Sequence, residues 1–429
     1  MSFPRYPKYK DSGVEWLGQV PNHWDVKRIG YYFVERREKV SDKDFPALSV
    51  TKNGIVPQLD TAAKSDDGDN RKKVLKGDFV INSRSDRKGS SGASDLDGSV
   101  SLICTVMRPQ EKVHTPFVHH LLRSQPFQEE FYRYGKGIVA DLWSTNYSEM
   151  RNILLGMPPL PEQTRIAAFL DQETAKIDAL VAEQERLMAL LKEKRQAIIS
   201  HAVTKGLNPK AAMKSSGIEW LGDVPTHWEI VPLKYVISMK SGGTPSKENL
   251  AYWDGDVPWA SSKDLKTETL SDTQDHITQK ALDDGAAELE PAGSLLTVVR
   301  GMILLHTFPV VRTLVPMAIN QDLKALSPNS KVTPDFLAWL LRGTSAETLA
   351  RTDEAAHGTK VLRIETWTSM PVPIPPLAEQ SKIVAGLTEQ LGELGALTAE
   401  AQRAIDLLQE RRTALISAAV TGQIDVHNR

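Results

Sequence analysis

The sequence predicts an α+β protein: two mixed α/β modules in pseudo-twofold arrangement, separated by a long antiparallel two-helix coiled coil. Three observations carry this reading. A block recurs almost intact, two long inserts do not recur, and two helical heptad patterns keep one register. Residues 12–26 read SGVEWLGQVPNHWDV and 216–230 read SGIEWLGDVPTHWEI, identical at ten of fifteen positions. PPLPEQ at 158–163 returns as PPLAEQ at 375–380, and KRQAIISHAVT at 194–204 returns as RRTALISAAVT at 411–421. Between these blocks, about 30–157 and 234–374 share no visible likeness. A frame that stays while its inserts diverge suggests two recognition modules on one scaffold. The expected domains are 1–157 (first module with the N-terminal block), 158–210 (first helix), 211–374 (second module) and 375–429 (second helix).

Each Pro block opens a helix. From Ile166, steps of four and three reach Leu170, Ile177, Leu180, Leu187, Leu191 and Ile198, with polar residues at the intervening seam places. The second series holds Ile383, Leu387, Leu394, Leu397, Leu408 and Leu415. Pro161, Glu162 and Glu379 suit helix starts, and Gly206 and Gly422 suit stops. Each helix would run roughly 40 to 45 residues, about 60 to 65 Å. The plainer alternative is that each is an amphipathic helix packed on its own module. The matched registers favour mutual pairing, and connectivity makes that pairing antiparallel. The N-terminal block would then sit at the end of the second helix, making the architecture circular.

Composition bounds the rest. The 429 residues are 41% hydrophobic and 25% charged, and no apolar run approaches the roughly 20 residues of a membrane helix. A polar N-terminus and a single cysteine, Cys104, point to a cytoplasmic protein. The net charge of −2 argues mildly against nucleic acid, although the placement of charge matters more than its sum. Residues 1–157 carry 24 basic and 20 acidic side chains, so positive charge gathers in the first module.

WLGQVPNHW and WLGDVPTHW, PPLPEQ and PPLAEQ, AVTGQIDV at 419–426 and SGGTPSKENLAYWDGDVPWASSKDL at 241–265 together resemble the DNA specificity subunit of type I restriction-modification systems. The resemblance covers essentially the entire chain. The first insert departs from it: no SGGTP segment is present, and the insert begins YYFVERREKVSDKDFPALSVTKNGI. The resemblance implies a noncatalytic subunit whose two target recognition domains each read half of a bipartite sequence in double-stranded DNA. It further implies that the helices act as a ruler and dock two methylation subunits, with restriction subunits joining for cleavage. S-adenosylmethionine, ATP and Mg are then expected on those partners, and none on this chain. Half-sites about one helical turn apart, roughly 34 to 36 Å, suit modules placed along such a coiled coil, and unlike inserts imply an asymmetric target.

Catalytic patterns are missing from the sequence. The only Pro-Pro pairs lie in MPPL and IPPL, so no motif for a flipped base stands out, and the sole Pro-Asp, Pro334-Asp335, lacks a following D/E-x-K. Gly135 to Ala140 fits GxGxxA, but the preceding PFQEEFYRY reads as a helix rather than the strand a dinucleotide site needs. His23 and His227, each beside a tryptophan, read as packing rather than metal ligands.

Candidates for DNA contact follow from residue type. After the strand-like GDFVI, the loop NSRSDRKGSSG offers Arg84, Arg87, Lys88, Ser90 and Ser91 to guanine edges and phosphates. A solvated surface loop explains it equally well. Arg71, Lys72 and Lys73 suit a solvated or phosphate-facing surface, and Lys136 is a further candidate. The second module offers Thr244, Ser246, Lys247, Ser261, Ser262 and Lys263 around Tyr252, Trp253 and Trp259, which read as core. Arg300, in LLTVVRGMILL, is either a paired buried cation or an arginine pointing out of a strand end. His357, Thr359 and Lys360 complete the set. Two rivals are a bivalent protein-binding scaffold without DNA recognition and a single-chain restriction or modification enzyme. Near-neutral charge favours the first, and missing catalytic motifs oppose the second.

Overall fold

The computed structural model describes residues 3–60, 68–137, 143–355 and 358–427. His357 and the end of the GxGxxA run, Ile138 to Ala140, lie outside the described residues. The chain divides into two compact units, residues 1–185 with 402–429 and residues 186–401.

The first unit is organised by a four-stranded antiparallel sheet in the order Ser91–Ala93, Phe79–Asn82, Cys104–Pro109, Phe33–Glu35. Phe79, Val80 and Ile81 are all buried, so this strand reads as a continuous apolar run covered on both faces. Helices Thr115–Leu121 and Gln125–Arg133 each carry proline in the first turn, where no backbone donor is lost. They bury Phe117, Leu121, Phe127 and Phe131 in one cluster with Trp24.

The second unit repeats that sheet order with unrelated residues. Val310–Thr313, Leu295–Val298, Leu323–Pro328 and Ile237–Ser241 stand side by side, and Thr269–Leu270 adds a parallel edge strand. Helix Pro334–Gly343 packs its Phe336, Leu337, Leu340 and Leu341 beneath. The Thr333 hydroxyl caps it by accepting from the Phe336 amide at 3.3 Å. Trp259 is buried in a small cluster with Tyr252 and Trp253 against it, as the aromatic density implied.

The long helices are Leu160–Lys205 and Leu377–Val420, 46 and 44 residues. Both close on a left-handed glycine, Gly206 at φ +78° and Gly422 at φ +75°. A side chain at Gly422 would also meet Pro21 at 2.3 Å. In the first unit, Gly422 lies against Pro21 and Trp24 while Glu162 meets Trp24, so the start of one helix and the end of the other share one place. In the second unit Gly206 lies beside Glu379. The pairing is therefore antiparallel within each unit.

The expected seam needs one correction. Ile166, Leu170, Ile177, Leu191, Ile383, Leu387, Leu394 and Leu415 are buried and Ile198 and Leu408 half-buried, but Leu180, Leu187 and Leu397 are 52%, 42% and 50% exposed. The buried line runs 166, 170, 174, 177, 181, 184, 188, 191, 195, 198, 202. Its second copy runs 383, 387, 391, 394, 398, 401, 405, 408, 412, 415, 419. Two consecutive steps of four, where the first turns pack on their own module, shift the phase by one residue before three-four alternation begins.

The recurring blocks exist to lock these helices to the modules. Glu162 accepts hydrogen bonds from the Trp24 indole at 3.0 Å and the Tyr6 hydroxyl at 2.7 Å, and meets His23 Nε2 at 2.8 Å. Glu379 repeats the arrangement with Trp228 at 3.1 Å and His227 at 2.7 Å. The adjacent glutamines are equally matched. Gln163 accepts from the His114 amide and donates to the Lys112 and Pro158 carbonyls, while Gln380 accepts from the Thr333 amide and donates to those of Lys331 and Pro375. Burial and the Glu162 carboxylate push the Tyr6 phenol well above its ordinary range, so it stays a donor.

Candidate nucleic-acid interface

In each unit the central strand ends in an exposed arginine. Arg84 follows Phe79–Asn82 and Arg300 follows Leu295–Val298. The backbone around them matches bond for bond. Thr145 N–H donates to the Ser83 carbonyl at 3.0 Å, and Leu362 N–H to that of Val299 at 2.8 Å. Ser83 N–H donates to Ile103, as Val299 N–H does to Asp322. Arg84 pairs antiparallel with Ser144, and Arg300 with Val361. Two sequences without visible likeness thus place an arginine at one structural position. Among the described residues neither guanidinium makes an ion pair, and a guanidinium offers up to five donors to a ligand. Arg300 is therefore the strand-end arginine of the two readings, not a buried pair.

Around Arg300 the second unit gathers several predicted residues. Lys360 lies opposite Gly301 in the next strand and pairs with Glu354 at 3.2 Å, and half-buried Thr359 precedes it. Ser262 approaches Gly301. Lys263 is exposed and pairs with Asp275 at 2.8 Å. Asn320 N–H donates to the Ala260 carbonyl, and the next residue, Gln321, accepts from the Thr244 hydroxyl. Exposed Ser246 and Lys247 continue this loop. Gln321 escaped the sequence reading. Its signal was the polar NQD break between two apolar strands, and glutamine can contact adenine bidentately.

In the first unit Arg87 and Lys88 are exposed beside Arg84. Arg87 lies 3.7 Å from Asp86, and Lys88 stands over the Tyr132 ring. Lys136 is exposed, pairs with Glu149 at 3.3 Å, and shares Ser144 as a bridge partner with Arg84. Other candidates point inward. Ser90 and Ser91 are buried, with the Ser91 hydroxyl lacking a partner, because they enter the strand that pairs with Phe79–Asn82. Ser261 is buried and donates to Asp264 at 2.9 Å, holding its turn. Arg71 is buried on Ser99, Lys72 donates to the Cys104 carbonyl at 2.7 Å, and Lys73 pairs with Glu38 at 2.8 Å. These three lie on the middle strand of a three-stranded sheet and are tied to neighbouring segments instead of forming a solvated face. Ser90, Ser91, Ser261 and Arg71 thus leave the solvent-facing set.

Residues 225–405 match the family model of the type I restriction modification DNA specificity domain. The chain is similar to the EcoR124I/EcoR124II specificity subunit of Escherichia coli, 23% identical over 93% of this chain and 92% of that one. Along nearly its whole length the chain is similar to type I restriction enzyme specificity subunits. The chain is also similar to the MjaIX specificity subunit of Methanocaldococcus jannaschii, 26% identical over 39% of each chain. A chain from a solved structure on complex assembly and conformational transition of the type I R-M system has the same fold. Its TM-score is 0.70 at 18% identity, covering 94% of this chain and 98% of that one. The described residues include no cluster of three metal-ligating side chains and no helix long and apolar enough to cross a membrane.

Proposed function

We propose that this chain is the noncatalytic, sequence-reading subunit of a type I restriction-modification complex in the cytoplasm. Each unit reads one half of an asymmetric, bipartite site in double-stranded DNA. The observation that carries the reading is the pair of exposed arginines, Arg84 and Arg300, without an ion pair among the described residues, at equivalent strand ends framed by unlike loops. A guanidinium can bind guanine O6 and N7 bidentately, and unlike neighbours give unlike half-sites. The long helices set the distance between half-sites and dock two methylation subunits. The exposed leucines Leu180, Leu187 and Leu397 are apolar surface suited to such docking. S-adenosylmethionine belongs to the methylation subunits, and ATP and Mg to the restriction subunits.

Mapping methylated adenines across the genome of cells expressing this chain with its methylation subunit tests the proposal. Expected is one asymmetric motif with two specified parts and an unspecified spacer; methylation that ignores this chain's presence overturns it. Deleting seven residues from each helix, 181–187 and 398–404, removes about 10 Å at 1.5 Å per residue. The same map should then show both half-sites retained and a changed spacer. An unchanged spacer would refute the ruler role.

A further inference from the structure

The repeat supplies an internal comparison that singles out a cleft in the first unit. In the second unit, Arg342 at the end of helix Pro334–Gly343 and Arg195 of the long helix converge on one carboxylate, Glu268. Arg342 Nη1 lies 3.1 Å from it, and Arg195 pairs with its other oxygen. Arg342 Nη2 also donates to the Glu268 backbone carbonyl at 3.2 Å. The counterparts in the first unit are Arg123, in the same Leu-Leu-Arg sequence, and Arg412, in the same repeat block. Arg123 Nη2 again donates to a backbone carbonyl, and the residue carrying it is Lys52. Where one unit holds a glutamate between two arginines, the other holds a lysine.

The consequence is a cleft of about 440 Å³ lined by Lys52, Lys88, His119, Arg123, Gln128 and Arg412. Arg123 is held below its ordinary basicity by burial and by the Arg412 charge, and its Nε is buried without a partner. In the second unit burial likewise lowers Arg342, and the Glu268 carboxylate opposes part of that shift. His119 adds no cation at neutral pH, since burial and the Arg123 charge push it down to about 4. The acids nearby are already engaged, Asp178 with Arg412 at 2.8 Å and Asp171 with His120 at 2.7 Å. Lys52, Lys88 and Arg123 make no ion pair among the described residues and face one cleft beside the Asp178-paired Arg412, and like charges gathered there call for an anion.

We propose that this cleft binds a backbone phosphate of the recognised duplex, in the place that the Glu268 carboxylate fills in the other unit. Lys88 decides for DNA, because it belongs to both the cleft and the loop that carries Arg84. The site fixes position without reading sequence, and it exists in one unit only, so phosphate anchoring is asymmetric. This inference rests on the DNA-reading function proposed above.

The test is Lys52→Glu, which rebuilds the second unit's arrangement in the first, with Lys52→Gln as the variant that removes charge without refilling. Each is assembled as the full chain with methylation subunits and titrated with matched and mismatched duplexes over a salt series. Lys52→Glu is expected to weaken both duplexes by a similar factor, about tenfold or more, and to lower the salt slope by about one. Its thermal midpoint without DNA should be equal or higher, and Lys52→Gln should fall between it and wild type. Unchanged affinity and slope in both variants, while wild type still discriminates the duplexes, overturns the phosphate site and leaves the DNA reading intact. Loss confined to the matched duplex would make Lys52 a base reader and overturn it as well. Failure of Lys52→Glu to assemble, with DNA affinity intact, would assign the cleft to an acidic side chain of the methylation subunit. A wild-type complex that ignores the duplex would remove both proposals.

Discussion

Glu162→Ala is expected to lower stability by about 3–5 kcal/mol, read as a fall in the urea midpoint of the full chain, and Glu379→Ala by about half as much. The Glu162 side chain is 4% exposed and serves the Trp24 indole, the Tyr6 hydroxyl and His23. Removing it leaves a fully buried indole N–H and a buried phenol without an acceptor, each costing about 1–3 kcal/mol. Glu379 serves only Trp228 and His227 and is 27% exposed, so water can replace part of what is lost. Glu162→Gln keeps one acceptor oxygen and should recover part of the loss. Equal costs for the two alanine variants would contradict the role assigned to burial and to Tyr6.

The same lock marks the limit of what sequence can reveal. The blocks WLGQVPNHW and PPLPEQ were legible as a frame because their side chains bind one another: histidine and tryptophan reach glutamate, and glutamine closes the loop before the module's helix. Partners that must meet leave a repeated spelling. The sheet strands have no such obligation. FVIN at 79–82 and LLTV at 295–298 need only be apolar and extended, so the shared strand order is invisible in the letters. Arg84 could be suspected from its basic loop and Arg300 from its isolated charge, yet their equivalence depends on backbone bonds to Thr145 and Leu362 in segments of unlike sequence. Alternate seam positions slipped by one residue, 173 to 174, 180 to 181 and 187 to 188, because three-four spacing assumes a helix packed on a helix from its first turn. Ser90 and Ser91 were misplaced for a related reason. Ser90, Ser91 and Gly92 are buried in succession, so this segment is covered on both faces, and nothing in the polar letters SSG says so.

Arg300→Ala in the assembled methylation complex should abolish preference at one base pair of one half-site, a loss of about 1–3 kcal/mol of discrimination or roughly 5- to 150-fold. Arg84→Ala should do the same in the other half-site and leave the first untouched. The separation follows from the structure, since each arginine stands at the strand end of its own unit and is held there by backbone pairing with Val361 or Ser144. Both side chains are exposed and make no ion pair among the described residues, so their removal strips no buried partner and the unfolding midpoint should hold. Arg87→Ala is the contrast within the same loop. Its guanidinium already faces Asp86 at 3.7 Å and sits beyond the strand end, where a phosphate contact is the expected use. That variant should weaken all duplexes about equally. Competition binding against duplexes changed one base pair at a time separates these outcomes. If Arg84→Ala relaxed both half-sites, or neither, the strand-end arginines would not be the base readers, and the match between the two units would be a feature of folding alone.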